Sequence, residues 1–315
     1  MSALETSYVT IDVFTNKRLK GNQLAVVDGT NTDLTSQQMQ EIAREFNFSE
    51  TIFIYQPQTD EMPQIRIFTP VNEMEFAGHP VIGGGHVLFR QLLTGASADP
   101  IAQSTMNVKT NAGTVCLEYD PERQTVTAQV PHNVHLHETP APKANISRTQ
   151  PSLTWDDIQD SHPTFSIVQG VTFVLVDFTN QPETFNAIQP GPSPVVPLDD
   201  QWAPSFVGVM YYRIMNEHNE DGQKVFDLRV RMIAINLEDP ACGSGSCSLA
   251  AYLALQHGSA SGKYQFFLDQ GSEIGRDSNI IVDILLNDRG DGIQSVLLSG
   301  QAAPVTRGQL LLPTN

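Results

Sequence analysis

The sequence predicts an α/β protein built from two similar halves. Stretches rich in β-branched residues recur along the 315 residues and alternate with only a few helical patterns. A strand, a polar turn, a run of small residues and a helix follow one another twice, at 65–93 and at 228–257. Placing Ala77 opposite Cys242 gives an offset of 242 − 77 = 165 residues. One duplication at the scale of a domain therefore organises the chain.

The first half contains strands around two predicted helices. The pattern TSQQMQEIAREF predicts a helix over 35–46 with Ser36 as its N-cap. The pattern puts Met39, Ile42, Ala43 and Phe46 on one face of this helix. A second helix is predicted from Pro80 to Leu93. Strands are predicted at 6–14, 21–29, 51–57 and 64–70, with a hairpin-like pair at 114–131.

The second half begins with less regular sequence. Segments 138–163 and 181–204 are rich in Pro, Ser, Thr and Asn, and either suits a crossing between domains. The first is favoured, which predicts domains at 1–135 and 136–299. A helix is predicted over 247–258, ending at Gly258. Strands are predicted at 164–178, 226–235, 264–270, 279–288 and 294–300.

Composition and charge exclude several classes of protein. Hydrophobic residues make up 40% of the chain, which is enough for a packed core. The 18 Lys and Arg residues against 35 Asp and Glu give a net charge of −17, which disfavours nucleic acid and anionic membranes as partners. Three cysteines, no secretory signal pattern and no long apolar run predict a cytoplasmic protein.

No motif for a cofactor is present in the sequence. CxxC, HExxH, GxSxG, Walker and strand-linked GxGxxG patterns are all missing, so metal, nucleotide and hydride-transfer cofactors are not expected. His132, His135 and His137 offer metal-ligand chemistry, but their Pro-rich surroundings favour solvated side chains. The sequence therefore predicts chemistry carried by side chains alone.

The repeated small-residue runs are candidate anion sites. A helix that begins in such a run presents free N–H groups and the positive end of its dipole, which suits a carboxylate. The candidate substrate-binding residues are Gly78 in the first half and Gly243, Ser244, Gly245 and Ser246 in the second. The alternative is that the glycines at 83–85 and 243–245 only make tight turns.

Four side chains are candidates for proton transfer. Glu50 lies at a strand start among apolar neighbours, where burial would raise its pKa toward neutrality; otherwise it is a solvated junction residue. His79 can hydrogen-bond a carboxylate or be structural. Asp239 can accept a proton, hold a substrate amine or simply form an Asp-Pro turn. Cys242, at a helix entrance, is either a thiolate base or a small buried hydrophobic residue.

Several motifs in order resemble one known family. The segments DVFTNKRLKGNQLAVV (12–27), AREFNFSET (43–51), RIFTPVNEMEFAGHPVIGGGHVL (66–88) and EDPACGSGSCSLAAYL (238–253) are similar to the PhzF-like family of phenazine-biosynthesis isomerases. The similarity continues through the late Gln270-Gly271 motif and the segment 299–310. It identifies the chain as a member of that family and of the diaminopimelate epimerase and proline racemase fold.

The resemblance implies both fold and mechanism. Each domain would be a curved mixed sheet around a central helix, with the active site in the cleft between two pseudo-symmetric domains. The last segment, 300–315, would return to the first domain, and the protein would be a homodimer. Glu50 would be the general acid and base, with His79, Asp239 and Ser244 positioning a small carboxylate substrate. No cofactor would be required.

One position departs from the family pattern. Cys242 stands where the family usually has Thr, and the string ACGSG is similar to one motif of the two-thiol epimerases, whose partner position here is Ala77. Cys242 is therefore either a second acid/base or a replacement for Thr. The segment from Arg231 to Glu238 is also shorter than usual for the family, which leaves the substrate open.

Three functions are weighed. The favoured one is a cofactor-independent isomerase that moves a proton on a small carboxylate-bearing metabolite. The second is a base-initiated cyclase or addition–elimination enzyme of secondary metabolism. The third is a catalytically silent scaffold, which has no need for Glu50, His79, Asp239 and Ser244 together.

Overall fold

The computed structural model describes residues 5–56, 61–93 and 104–313. Its contacts divide the chain into two compact units, here called unit 1 (1–129 and 299–315) and unit 2 (130–298). The domain assignment made from the sequence, 1–135 with 300–315 and 136–299, stays a prediction. No helix among the described residues is long and apolar enough to cross a membrane.

Unit 1 contains a mixed sheet and two helices. Its elements are β1 (Glu5–Val13), β2 (Asn22–Asp28), α1 (Ser36–Phe46), β3 (Glu50–Tyr55), β4 (Gln64–Phe68), β5 (Glu73–Met74), α2 (Gly78–Phe89), β6 (Thr105–Thr110), β7 (Gly113–Asp120) and β8 (Thr125–Gln129).

Unit 2 follows without interruption, and a last strand then returns to unit 1. The elements are β9 (His135–Leu136), β10 (Ala141–Pro142), α3 (Lys143–Thr149), β11 (Ser161–His162), β12 (Thr164–Val168), β13 (Val171–Asp177), α4 (Pro182–Ala187), β14 (Phe206–Glu220), β15 (Gln223–Ala234), β16 (Leu237–Asp239), α5 (Gly243–His257), β17 (Lys263–Gln270), β18 (Ser278–Leu286), β19 (Ile293–Gly300) and β20 (Ala302–Leu311). Single 3₁₀ turns lie at Trp155–Asp157 and Ser272–Ile274.

The strand pairings repeat between the units. In unit 1, β1–β2 is antiparallel, β2–β3 parallel, β3–β4 and β4–β5 antiparallel, β4–β6 parallel and β6–β7 antiparallel. In unit 2, the series β12 to β18 shows the same succession of pairings. Helices α2 and α5 begin at positions 78 and 243, which are 243 − 78 = 165 residues apart. The predicted fold class and the duplication are confirmed.

Each repeated helix lies inside the curve of its own sheet. All twelve residues of α2 are buried, and the helix packs against β1, β2, β3, β4, β7 and β8. Helix α5 packs in the same way against β12, β13, β14, β17 and β18. A helix that is apolar on all sides needs such complete cover. Strand β20 pairs with β1, so the end of the chain adds a strand to unit 1.

The alternative that the glycines at 83–85 only make a tight turn is wrong. They lie in the middle of α2, where each faces a different part of the sheet. A Cβ atom would lie 2.4 Å from Leu24 at Gly83, 2.9 Å from Ile65 at Gly84 and 2.7 Å from Val126 at Gly85. Glycine therefore lets strands approach the helix on three sides.

Several predicted boundaries need correction. Thr35, not Ser36, caps α1: its side chain accepts the N–H of Gln38 at 3.3 Å. The strand predicted over 164–178 is two strands, because Gly170 takes a left-handed φ of 87° between them. Residue 57, the end of one predicted strand, lies outside the described residues.

The two repeated helices are each shifted toward the N-terminus. Helix α2 runs from Gly78 to Phe89 rather than from Pro80 to Leu93. Helix α5 starts at Gly243 rather than at 247, although its C-cap is Gly258 in the left-handed conformation, as predicted. Strand β14 and the short helices α3 and α4 were not predicted.

Candidate active site

Glu50 is placed by the turn that leaves α1. The helix ends at Asn47, whose left-handed φ of 53° reverses the chain and whose N–H donates to the carbonyl of Ala43. Glu50 is then the first residue of β3, in parallel register with Leu24 of β2. Its side chain is 18% exposed. The carboxylate therefore lies at a strand start and is largely enclosed.

His79 reaches Glu50 from the start of α2. Its Nδ1 lies 3.0 Å from Oε2 of Glu50, and its side chain is only 5% exposed. The other ring nitrogen, Nε2, is buried without a hydrogen-bond partner among the described residues. A buried polar atom without a partner is uncommon in proteins and marks a position that a ligand can satisfy. The structure thus brings two of the predicted residues together in unit 1.

The pKa of Glu50 moves in the opposite direction from the sequence-based expectation. Burial raises this pKa. A hydrogen bond from His79, the charge of that ring and a hydrogen bond from Ser49 together lower the pKa by more than burial raises it. The net pKa is below the ordinary value of 4.5. The expected rise is therefore wrong, because a specific partner outweighs desolvation. Glu50 is ionised near neutral pH and can act as a base.

The first turn of α2 has free hydrogen-bonding capacity. Its N-cap is Ala77, whose extended backbone starts the helix and whose side chain makes no capping bond. The N–H groups of Gly78 and His79 lie in that first turn, where a helix has no carbonyl to receive them. Together with the helix dipole, they favour an anion beside the Glu50–His79 pair.

In unit 2, Cys242 is the N-cap of α5. Its Sγ accepts the backbone N–H of Gly245 at 3.3 Å and lies 3.6 Å from Oγ of Ser244. The residue is 6% exposed. Cys242 is therefore buried, as one alternative held, but its sulfur also makes the polar contacts of a helix cap.

The small residues 243–246 form the first turn of α5 rather than a loop before it. Gly243 and Gly245 are buried and Ser244 is partly exposed. Ser246 is completely buried, and its Oγ lacks a hydrogen-bond partner within the part of the chain that is described. At Gly245 a Cβ would lie 2.5 Å from Sδ of Met210, so a larger residue there requires the Met210 side chain to move.

Asp239 makes the turn that one interpretation expected. Its Oδ1 accepts the N–H of Ala241 at 3.0 Å, which shapes the short link between β16 and α5. The residue is partly exposed, so the turn does not remove its carboxylate from solvent. Asp239, Cys242 and Ser244 therefore lie within one short stretch of unit 2.

A repeated ion pair holds the hairpin before each central helix. Arg231 donates from Nε and Nη2 to the two carboxylate oxygens of Glu238, at 2.8 and 2.6 Å. In unit 1, Arg66 makes the same two bonds to Glu73, both at 2.7 Å. The arginines are 231 − 66 = 165 residues apart, and so are the glutamates. Sequence reasoning missed these pairs, although the same offset applied to charged residues identifies them.

Two histidines and an aspartate of unit 2 form a separate polar cluster. Ligand-type atoms of His135, His137 and Asp199 all lie within 4.8 Å of one another. His135 Nε2 lies 2.6 Å from Asp199 Oδ2, and the ring stacks on Trp202. His137 accepts the Asp199 N–H on Nδ1 and bonds Ser166 through Nε2, so both ring nitrogens are engaged. The expectation of solvated side chains is wrong for His137, which is buried.

Solved structures share this fold. A solved structure of the PhzF-family phenazine biosynthesis protein from Bacillus anthracis matches with a TM-score of 0.76 at 18% identity, covering 98% of this chain and 100% of that one. A hydroxyproline epimerase from Agrobacterium vitis matches with a TM-score of 0.57 at 14% identity, covering 98% and 92%. At these identities the likeness shows the fold, which is that of the epimerase and racemase enzymes.

The family follows from the sequence comparison. A family model described as phenazine biosynthesis-like protein matches residues 11–308, and the chain belongs to that family. Trans-2,3-dihydro-3-hydroxyanthranilate isomerase of Pseudomonas aeruginosa is 29% identical over 318 residues, covering 97% of this chain and 99% of the relative. The resemblance stated from the sequence is confirmed, and the chain is an enzyme of the isomerase class.

Proposed function

We propose that the protein moves a proton on a small carboxylate-bearing metabolite without a cofactor, with Glu50 as the general acid and base. The observation that carries the proposal is the ionised Glu50 carboxylate 3.0 Å from His79, at the start of a buried helix. A carboxylate that is ionised yet mostly enclosed is suited to accept a proton from carbon. The dihydroaromatic acid named for the Pseudomonas relative supports a small carboxylate of that kind as the proposed class of substrate.

Each residue has a role in the proposed step. Glu50 removes a proton from an activated carbon and returns it at another position, so the substrate is rearranged without net gain or loss of atoms. His79 donates its Nδ1–H to the Glu50 carboxylate and orients it. First-turn N–H groups stabilise the substrate carboxylate or the negative charge that develops during proton removal. Asp239 and Ser244 position the polar groups of the substrate.

Cys242 is proposed as a second proton-transfer group. Its sulfur accepts the N–H of Gly245 and lies 3.6 Å from Oγ of Ser244, so a thiol is held at the N-terminus of α5. A second acid on another face of the substrate would allow epimerisation as well as a proton shift. Cys242→Ser distinguishes epimerisation from a proton shift carried out by Glu50 alone, because serine keeps a helix cap and a hydroxyl but lacks the acidity of a thiol.

The proposal is tested by solvent exchange. The protein is incubated in deuterium oxide with trans-2,3-dihydro-3-hydroxyanthranilate and a panel of small carboxylates, and NMR follows each C–H. Deuterium should enter at one carbon, and Glu50→Gln should slow entry by about 10² to 10⁴-fold. Glu45→Gln, an exposed glutamate of α1, is the matched control and should behave as wild type.

Other outcomes favour the other functions. Loss of a leaving group or closure of a ring with the same Glu50 dependence would identify the cyclase or elimination enzyme. Binding of a carboxylate with no exchange in wild type would refute proton transfer on that ligand and favour the scaffold. The interdomain cleft stays a prediction. It requires that Asp239→Asn and Glu50→Gln each impair the same reaction of the same substrate.

A further inference from the structure

The stretch that carries Asp239 and Cys242 is held by one buried side chain. Gln270 is the last residue of β17 and is 1% exposed. Its Nε2 donates to the carbonyl oxygen of Asp239 at 2.7 Å, and its Oε1 accepts the N–H of Cys242 at 3.1 Å. A single amide therefore ties together both ends of the link between β16 and α5.

The next residue, Gly271, packs directly against the backbone of the same link. Gly271 takes a left-handed φ of 79°, and a Cβ there would lie 2.6 Å from the carbonyl oxygen of Pro240 and 3.2 Å from its Cα. Because both neighbours are backbone atoms, they cannot turn aside as a flexible side chain can. The absence of a side chain at Gly271 thus lets the two chains approach closely enough for Gln270 to reach the link.

The register of β17 gives this contact its rigidity. Gln270 pairs with Val230 of β15 in parallel and with Ser278 of β18 in antiparallel arrangement, so its backbone is fixed on both sides. The equivalent position in unit 1 is Thr110, which ends β6 opposite Gly113 as Gln270 ends β17 opposite Ser278. Its side chain is no amide, and its Oγ1 donates to the carbonyl of Gly113. The N-cap of α2, Ala77, has no side-chain cap. The contact of a side-chain amide with the link before the helix is therefore found in unit 2, where the N-cap of α5 is the Cys242 thiol.

We propose that Gln270 is the positioning residue for Asp239, which orients the substrate, and for Cys242, the second proton-transfer group, and that it acts through the backbone of both. The hydrogen bond from the Cys242 N–H to Gln270 fixes the N-cap residue, and the Cys242 sulfur can then accept the N–H of Gly245. Holding the Asp239 carbonyl fixes the residue that presents the carboxylate. Without the amide, the carbonyl of Asp239 and the N–H of Cys242 lose these two hydrogen bonds, and the link shifts to form others.

The test separates the two hydrogen bonds of the amide. Gln270→Met removes both, whereas Gln270→Glu keeps an acceptor for the Cys242 N–H and loses the donor to Asp239. Gln265→Met is the matched control, since it places the same substitution on the same strand, where the side chain bonds Asp283 instead. All variants carry Cys116→Ser. Among the remaining thiols, burial raises the pKa of Cys247 to about 12, so Cys242 is the reactive one.

The first readout needs no substrate. Amide hydrogen exchange at Cys242 and Gly245, together with the rate of Cys242 modification by methyl methanethiosulfonate, is measured at pH 7. In Gln270→Met, exchange at both amides and thiol modification are expected to be at least about tenfold faster, a change expected when a buried contact opens locally. In Gln270→Glu, the Cys242 amide stays protected. The control matches the parent protein. Unchanged or slower rates in folded Gln270→Met overturn the inference.

The second readout rests on the proposed function. With a substrate from the exchange experiment, Gln270→Met is expected to lower kcat by about 100-fold with KM changed far less, as misplacement of a catalytic group does. Gln270→Glu should be intermediate. If wild type shows no turnover, the proposed function fails while the exchange and thiol data still decide the role of Gln270. If Gln270→Met does not fold, Gln270→Glu with wild-type kcat and thiol reactivity overturns the inference.

Discussion

The repeated arginine–glutamate pair allows a stability prediction with a control inside the same chain. Glu238 and Arg231 have side chains only 2% and 4% exposed, and Arg231 also donates to the carbonyl of Phe185 at 3.0 Å. Glu238→Gln removes the negative charge that faces this buried guanidinium. In unit 1, the Arg66 and Glu73 side chains are 19% and 26% exposed. Glu73→Gln therefore leaves an arginine that water can reach.

The magnitude follows from burial. Two charge-assisted hydrogen bonds are weakened in each variant, at roughly 1.5–3 kcal/mol apiece when buried. Removal of one partner from a buried pair costs about 3–5 kcal/mol, so we expect that loss of unfolding free energy for Glu238→Gln. For the more exposed pair, solvent screening reduces the expected loss to about 1 kcal/mol.

The assay is urea unfolding followed by far-ultraviolet circular dichroism, with both variants and the wild type measured at the same pH and salt. A second comparison raises the ionic strength, which should weaken the Arg66 pair more than the enclosed Arg231 pair. Equal losses in the two variants would refute the reasoning, because the pairs share their geometry and differ in burial. A loss below about 1 kcal/mol for Glu238→Gln would do the same.

Three further predictions concern packing, pH and a loop. Gly84→Ala places a Cβ about 2.9 Å from Ile65 in the crowded centre of unit 1, which should cost about 1–3 kcal/mol; an unchanged melting temperature would contradict the packing role of the glycines. Burial lowers the pKa of His86 to about 4, so the unfolded chain binds its proton first, and stability is lost as pH falls from 6.5 toward 4. His86→Gln should flatten this part of the stability curve, and a parallel curve would show that His86 does not cause it. Asp199→Ala removes the acceptor of His135 and should speed proteolysis of the segment 189–205, as mapped by mass spectrometry; unchanged cleavage would show that the segment is held elsewhere.

Local patterns in the sequence predict much of this fold. The helical face of Met39, Ile42 and Ala43 and the glycine stop at 258 depend on neighbouring residues, and the structure confirms both. The 165-residue offset compares two local patterns that recur along the chain, and the starts of α2 and α5 confirm it. Periodicity and turn chemistry act over a few residues, so they can be recognised without a fold. The family motifs extend the prediction to the whole chain, because both the motifs and their order can be recognised from the sequence alone.

Other features exist only because distant segments meet. Strand β14 is buried in its first half but polar and exposed from Met215 onward, where its hydrogen bonds to β15 hold it extended. Its strand character comes from its partner rather than from its own residue pattern. Similarly, Gly83, Gly84 and Gly85 have the composition of a loop. In the structure they lie inside α2, where a Cβ at each would come within 2.9 Å of side chains on the surrounding strands.

The candidate active site divides in the same way. The sequence by itself determined which residue types stand at positions 50, 79, 239 and 242, and the duplication that places two of these at the starts of equivalent helices. Only the tertiary structure decided that Glu50 and His79, 29 residues apart, are 3.0 Å from each other and that the pKa of Glu50 is lowered rather than raised. The physical reason is that a pKa depends on the partners and solvent around a group, and those are supplied by parts of the chain that sequence spacing does not bring together.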